Sequence, residues 1–479
     1  MLTMLGSPRR CCDGMTRRET LQAGALGLLG GFGLPHLLAA EQNRPATRRP
    51  GRAKSVILLY LLGGAATQDM VDLKPNASSG VKSEFRPIAT NVPGIQVCEH
   101  LPRMSRWMHK VAVVRSLNHK AGCHNTLPSY TGLEIMVPDN TITRDTFPPS
   151  MGSVCEFLRR GERDLPDYVY MPCYLGWGQA IRRAGPYGGF FGQRYDPLFT
   201  ECTPYREPGG PAPRPGYPQL ARGEPRLPQS TLGEGITVDR LHHRRSLVSQ
   251  LDQQMRRAEI QPALGNFSRV QHRAFDMLTS SKSRQAFDLS REDPRLRDRY
   301  GRTLFGSSTL IARRLVEAGV RFVNVSWDLF WDRVQIDYDC WDTHTRNFHI
   351  LRDVNLPNLD QTYTALLEDL DQRGMLDETL VVVMSEMGRT PRVNGNGGRD
   401  HWTFCYSMFM AGGGIRGGTF YGESDAQAAY VKDRPVSTSD ICATIYECLG
   451  IDPDMPIMDR SGRPIPVAHG GKPIREILG

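Results

Sequence analysis

Chemistry in this chain would rest on carboxylates, imidazoles and guanidiniums that come just after apolar runs. "GGAATQDMVDLKP" carries Thr67, Asp69 and Asp72, and the segment after "VAVVRSL" carries His119, His124, Asn125 and Thr126. After "RFVNVSW" come Asp328, Asp332, Asp337, Asp339, Asp342 and His344; after "TLVVVMS" come Glu386, Arg389, Asp400 and His401. Mixed Asp, Glu and His sets suit divalent ions such as Zn, Mn or Fe, which accept imidazole and carboxylate together. Each residue also has a purely structural reading. Asp69 or Asp72 suits the cap of a following helix. Glu386, directly after a buried strand, needs a partner, and Arg389 is one candidate for a structural salt bridge. His242 and His243 sit in a basic helical segment and read as solvent-facing.

The elements that would position these residues are strands. "SVILLYLLGG" is a continuous apolar run ended by glycines, the pattern of a strand buried on both faces of a parallel sheet. "VAVVRSL", "DYVYMP", "RFVNVSW", "TLVVVMS" and "CYSMFMAGGG" read as further strands. "HLPRMSRWMHK" has helical spacing. The segment from Thr343 to Gly374 reads as helix with a break at Asn355 to Pro357, and "TSDICATIYECLG" as a helix capped by Thr438 or Ser439. Strands alternating with helices argue for an α/β sheet with helices on both faces, and in such sheets ligands bind outside the carboxyl ends of the strands. Between about 200 and 300 the pattern changes. Arg206 to Gln229 is dense in Pro and Gly, and Arg240 to Arg302 is charged and helical, which reads as an insertion covering the sheet. No GxGxxG or GxxxxGK[ST] phosphate loop follows a strand, and no GxSxG elbow is present.

A length of 479 residues corresponds to two to four domains by size alone. With 39% hydrophobic and 23% charged residues, the composition is globular rather than disordered. The net charge of +8 is modest, and its basic clusters at Arg9 to Arg18 and Arg44 to Lys54 interleave no aromatics, which argues against nucleic-acid binding. "TRRETLQAGALGLLGGFGLPHLLAAE" has the layout of an export signal: Arg17-Arg18, a Gly- and Ala-rich apolar segment, then Ala39-Ala40. The paired arginines point to the twin-arginine machinery, although Thr20 stands where Phe is usual. Glycines and Pro35 break the run, which favours cleavage or loose anchoring over a stable span. The expected organisation is a signal over 1–40, a basic linker over 41–54, and one α/β domain over 55–479 with an insertion at about 200–300. Nine cysteines remain after the signal, without CxxC spacing, so neither a disulfide framework nor a zinc ribbon is expected.

"LLGGAATQDMVDLKP", "VPGIQVCEHLPRM", "VAVVRSLNHK", "WDTH", "LDETLVVVMSEMGRTP", "GGRDHW", "AGGGIRGGTFYGESD" and "DRPVSTSDICATIYECLGID" resemble, in order from Ser55 to Asp452, the secreted bacterial family called domain of unknown function 1501. That family more distantly resembles the alkaline phosphatase and sulfatase superfamily. The resemblance implies an alkaline-phosphatase-like α/β fold, with a mostly parallel central sheet and metal at the carboxyl ends of its strands.

Residue by residue, Glu386 stands where the superfamily has Asp, and Met387 where it has a metal-binding His. His401 resembles the later His, Asp342 and His344 an Asp/His pair, and Asp69, with Asp72 as rival, the Asp after the first strand. "CHNTLPSYTG" resembles the nucleophile region, which makes Thr126 the hydroxyl candidate. It lacks the Cys-x-Pro-x-Arg of formylglycine sulfatases, and Ala66 stands where the family usually has Ser. A thioether is a poor ligand for hard divalent ions. The resemblance therefore implies one divalent ion rather than a two-metal clamp, held by Asp342, His344 and His401 with Asp69, and with Glu386 as ligand or base. The expectation is a secreted metal-dependent hydrolase of phosphate or sulfate esters on an anionic small molecule or polysaccharide. Thr126 would be nucleophile, His124 acid or base, Glu386 and Arg389 catalytic partners, and Asn125, Arg399 and Asp400 substrate contacts. The alternative is a binding or assembly protein that keeps the fold without turnover, to which Met387, Ala66 and the missing formylglycine motif point.

Overall fold

The six expected runs, together with two short segments that no apolar run marks, Leu198–Phe199 and Thr419–Tyr421, become the strands of one eight-stranded sheet. In this computed structural model, which describes residues 51–137, 143–159, 165–206, 218–228, 281–330, 332–333 and 340–479, they are β1 (Ser55–Leu61), β2 (Val111–Leu117), β3 (Tyr168–Met171), β4 (Leu198–Phe199), β5 (Phe322–Trp327), β6 (Thr379–Met384), β7 (Tyr406–Ala411) and β8 (Thr419–Tyr421). Their spatial order is β8-β2-β7-β6-β1-β5-β3-β4. β1 lies between β5 and β6, parallel to both, with Leu58 opposite Asn324 and Val382. β7 runs antiparallel to β6 and β2, and the remaining pairs are parallel. All residues of β1, β5 and β6 are buried, so both faces of the sheet centre are covered, as the unbroken apolar runs require. The fold is therefore the mostly parallel α/β sheet that the strand pattern implies.

The helices include α1 (Gln68–Val71), α2 (Leu127–Thr131), α3 (Met151–Leu158), α4 (Leu304–Glu317), α5 (Leu356–Gln372) and α6 (Thr438–Cys448). α4 packs on β5 and β1, and its N-terminus is closed by Thr303, whose hydroxyl accepts from Gly306 N–H.

Three local expectations need correction. The backbone is not helical from Thr343; helix begins at Asn347 and continues through a π-helical turn, Leu351–Asn355, into α5 without a break. Pro357 lies in the first turn of α5, directly after that wider turn, where the change of ladder register accommodates its missing N–H. The α6 cap is Ser437, not Thr438 or Ser439: Ser437 and Asp440 form a capping box. "HLPRMSRWMHK" folds as two short 3-10 turns, and the Asp360 carboxylate accepts from Arg103 N–H and Met104 N–H at their start.

Residues 1–50, where the export signal is expected, lie outside the described residues, as do Trp331, Asp337, Asp339 and the basic segment containing His242 and His243 that is expected to be helical. Gly51–Gly479 forms one compact unit. No helix among the described residues is long and apolar enough to cross a membrane.

Candidate metal centre

β6 ends by delivering Glu386, fully buried, to the loop that leaves β1. Glu386 Oε1 accepts from Gly63 N–H at 2.8 Å, and Oε2 lies 3.0 Å from the Ser385 hydroxyl. That hydroxyl also receives Gly64 N–H and Ala65 N–H at 3.1 and 3.2 Å, so the first loop is fastened to the end of β6. Gly63 and Gly64 have φ of +116° and +84°, and a Cβ at Gly63 would sit 2.8 Å from Asp342 N. The glycines ending "LLYLLGG" are therefore what lets the Asp342 segment approach.

Asp342 is the hub. Its Oδ1 lies 3.0 Å from His401 Nε2 and 3.1 Å from His344 Nε2, and its Oδ2 lies 3.1 Å from His124 Nε2. His344 Nε2 and His401 Nε2 are 2.8 Å apart. His124, Asp342 and His401 offer ligand atoms that all lie within 4.8 Å of one another. Two ligands of one tetrahedral ion, each about 2.0–2.1 Å from it, stand about 3.3 Å apart, close to these separations. Imidazole nitrogens around one carboxylate are a donor set that fits a single divalent transition ion. The site is thus a possible His/Asp metal centre.

Behind the donors stand carboxylates that orient them. His344 Nδ1 donates to Asp400 Oδ1 at 2.8 Å, and Asn394 Nδ2 donates to the same oxygen at 3.0 Å. His124 Nδ1 lies 3.2 Å from Glu386 Oε1. This is the arrangement by which metal-binding imidazoles have their tautomer set. The same contacts decide the charges. Burial pushes the Asp342 carboxyl up, but bonds from His124, His344 and His401 and the Arg389 charge hold it far below the usual carboxylate range. Burial lowers the His124 pKa, and its bonds to Asp342 and Glu386 outweigh that and raise it. His344 is raised, chiefly by Asp342; His401 is lowered, by burial and by the neighbouring His124 and Arg389 charges.

Several residues expected in the site are committed elsewhere. Asp69 does not face the histidines. It is fully buried, and its two oxygens take Arg399 Nε and Nη2 at 2.8 Å each, with Asn347 Nδ2 also at 2.8 Å. A desolvated bidentate pair satisfies both ions, so Asp69 is not placed as a ligand and Arg399 is not placed to meet substrate. The rival Asp72 pairs with Lys74 at 3.0 Å and accepts from Ser424. The Arg389 guanidinium is also buried. It donates to Asp342 and to the carbonyls of Gly63, Gly64, Trp341 and Arg399, so it clasps loops and hub together instead of facing outward. Thr126 is 1% exposed and donates its hydroxyl to the Ala184 carbonyl. Asn125, equally buried, donates to Ala121 O and Ile135 O at 2.7 and 2.8 Å, holding its own loop. Glu386 reaches His124 but stands outside the group of mutually close ligand atoms, as does His344, which touches that group through Asp342 and His401. Asp400 lies behind His344 rather than in front of it.

Two further residues support the site without joining it. His119, one of the histidines beyond β2, turns away from the hub. Its Nε2 donates to the Glu386 carbonyl at 2.7 Å and its Nδ1 accepts from Ala121 N–H, which ties the loop after β2 to β6. Arg183 lies in the loop that leaves β3, and no motif marks it in the sequence. It donates to the His124 carbonyl at 3.3 Å and is itself held twice by Gln179 Oε1 at 3.0 and 2.8 Å. His124 has φ +53°, so this buried support stabilises a left-handed residue that bears a site side chain. Only the density of glycines in "YLGWGQAIRRAG" hints at a shaped loop there.

Among solved structures, the chain is similar to Ps i-CgsB in complex with k-i-k-neocarrahexaose, at 10% identity over 85% of this chain and 73% of that one, with a TM-score of 0.38. It is also similar to the PsFucS1 sulfatase from Pseudoalteromonas sp. (13% identity, 87% and 71% covered, TM-score 0.34). A protein in the alkaline phosphatase superfamily from Vibrio parahaemolyticus matches at 9% identity, with 90% and 72% covered and a TM-score of 0.33. No curated protein matches. A family model described as "Protein of unknown function (DUF1501)" matches residues 53–478, nearly all of the chain beyond its first fifty residues, and the chain belongs to that family.

Proposed function

We propose that the chain is an exported, metal-dependent hydrolase of phosphate or sulfate esters. One observation carries this reading: His124, His344 and His401 converge on Asp342 at the carboxyl edge of the sheet, with Asp400 and Glu386 behind two of them. A divalent ion bound there supplies a Lewis acid for an ester oxygen and lowers the pKa of water. Asp342, His401 and His344 are assigned to holding it, His344 through its Nε2 beside His401 Nε2 and Asp342 Oδ1, with Asp400 orienting it. His124, although its Nε2 lies among the mutually close ligand atoms, is assigned to acid chemistry instead. His124 sits on the other oxygen of Asp342 and keeps its proton to higher pH than a free histidine. Glu386 holds His124 through Nδ1, so Nε2 is the atom from which a proton passes to the leaving-group oxygen. With Arg389 and Arg399 committed to protein groups, positive charge for an anionic ester comes from His124 and the ion. With the Thr126 hydroxyl turned to Ala184, water is assigned as the attacking group. Residues 1–40 are read as the twin-arginine signal that exports the chain.

The test is divalent metal content and hydrolysis of aryl phosphate and aryl sulfate esters by the purified chain, compared with a His344→Ala/His401→Ala variant. Near-stoichiometric metal and turnover, both lost in the variant, support the proposal. Metal-free protein whose stability is indifferent to chelation overturns it. A second reading, a binding or assembly protein without turnover, is favoured by the buried hydroxyl of Thr126 and by the apolar, fully buried Met387 beside Glu386. It predicts bound metal with no hydrolysis of either ester class.

A further inference from the structure

The sheet edge that carries the metal centre continues past β5 to β3 and β4, which run parallel to it. The loops leaving those two strands border a cavity of about 590 Å³, and a second of about 570 Å³ shares Thr203 and Arg226 with it. Together they form a groove long enough for an extended ligand rather than a single small one. Its charges are unevenly paired. Arg182 lies 4.2 Å above the Tyr174 ring and Arg333 4.9 Å above the Trp177 ring, so both guanidiniums sit over an aromatic face. Arg333 also donates to the Tyr174 hydroxyl at 3.0 Å. Arg226 is exposed where the two cavities meet. None of Arg182, Arg226 and Arg333 has a carboxylate partner within ion-pair distance among the described residues, whereas Arg297 and Arg302 of the same groove are paired with Glu224 and Asp298. Arg182 and Arg226, lining the groove without a carboxylate partner of their own, match a ligand carrying more than one sulfate or phosphate group, with Arg333 beside them on the Trp177 ring.

The remaining lining favours a carbohydrate over a nucleic acid. Tyr174 and Trp177 each carry a guanidinium on one face and another ring at their edge, Phe199 and Phe330 respectively, and the exposed Tyr205 of the second cavity is a single platform where single-stranded nucleic acid stacks successive bases on several rings. Exposed Glu201 and Thr203 offer acceptors for hydroxyl groups. The same loop reaches the metal centre, because Arg183 supports the His124 carbonyl. We propose that this groove binds an oligosaccharide bearing repeated sulfate or phosphate esters, of which one ester is the group presented to the metal centre. Presentation to the metal rests on the hydrolase reading; binding in the groove does not.

The test is calorimetric titration of the full chain with four probes: dextran sulfate oligosaccharide, phosphorylated dextran of the same length, neutral dextran and oligothymidylate. Binding of either charged dextran, weakened at least tenfold in Arg182→Gln and in Arg226→Gln with unchanged melting temperature, supports the groove; which dextran binds tells sulfate from phosphate. Both arginines are exposed, so these variants are expected to fold. The His344→Ala/His401→Ala variant is expected to bind as the parent does while losing hydrolysis. No binding of a charged dextran, binding indifferent to both arginine substitutions, or tighter binding of oligothymidylate overturns the proposal. If the groove binds and no ester is cleaved, the hydrolase reading fails and the groove stands.

Discussion

Asp400 accepts from His344 Nδ1 at 2.8 Å and so turns His344 Nε2 toward Asp342 and His401. The half-exposed Asp400 touches none of the other three residues at the hub through a hydrogen bond. Orientation through the far nitrogen is worth about 10–100-fold in metal affinity at comparable sites. Asp400→Ala is therefore expected to weaken divalent-ion binding by about that factor while leaving the folded chain intact. Competition titration with a chelating indicator reads this, and unchanged affinity would detach Asp400 from the centre.

Asp69 and Arg399 test whether a buried carboxylate near the site is ligand or support. Asp69→Ala leaves a fully buried guanidinium without its carboxylate, a change that costs about 3–5 kcal/mol. The expected result is a large loss of stability in chemical denaturation with metal content retained in the folded fraction. The double variant Asp69→Leu/Arg399→Met should recover part of the loss, because no uncompensated charge remains. Loss of metal at unchanged stability would make Asp69 a ligand after all.

Thr126 separates a hydroxyl nucleophile from water attack. Its hydroxyl is spent on the Ala184 carbonyl inside the protein, so Thr126→Ala is expected to cost about 1 kcal/mol of stability and to leave hydrolysis within a factor of about two. A loss of turnover by several orders of magnitude, with the fold kept, would assign it the attacking role.

Asp328 gives a pH signature outside the metal centre. It is buried after β5, accepts from Leu329 N–H and Gly176 N–H at 2.7 and 3.1 Å, and burial pushes its carboxyl up to about 6. A folded-state value above the unfolded one of about 3.9 means the native state binds this proton more tightly. Its contribution is then fully present below about pH 4 and is lost as pH rises through about 6. Asp328→Asn, which cannot ionise, should gain stability relative to the parent as pH rises from about 4 to about 7. Melting curves across that range check the slope, and a parallel pair of curves would refute it.

Different kinds of information were legible in the chain to different degrees. Apolar runs without strict alternation, such as those of β1 and β6, marked the buried strands, because a strand covered on both faces has no polar side to alternate with. The same logic pointed to residues just past those strands, and His124, Asp342, His344 and His401 all came from that set. Local capping was less accessible: Ser437, Thr438 and Ser439 are chemically similar, and only the reach of Asp440 back to Ser437 distinguishes them.

The sequence by itself determined the strands, the sheet edge at which chemistry must sit, and a surplus of acids and bases along that edge. It did not determine which of them are free. Asp69 and Arg399 are 330 residues apart and bond at 2.8 Å, while Glu386 and Arg389, near neighbours in the chain, do not pair with each other; Arg389 takes Asp342 instead. A charged group's availability depends on its nearest partner in space, and spacing along the chain carries no measure of that distance. Only the closing of the sheet decided that Asp69 is spent on a guanidinium while Asp342 receives three imidazoles beside one.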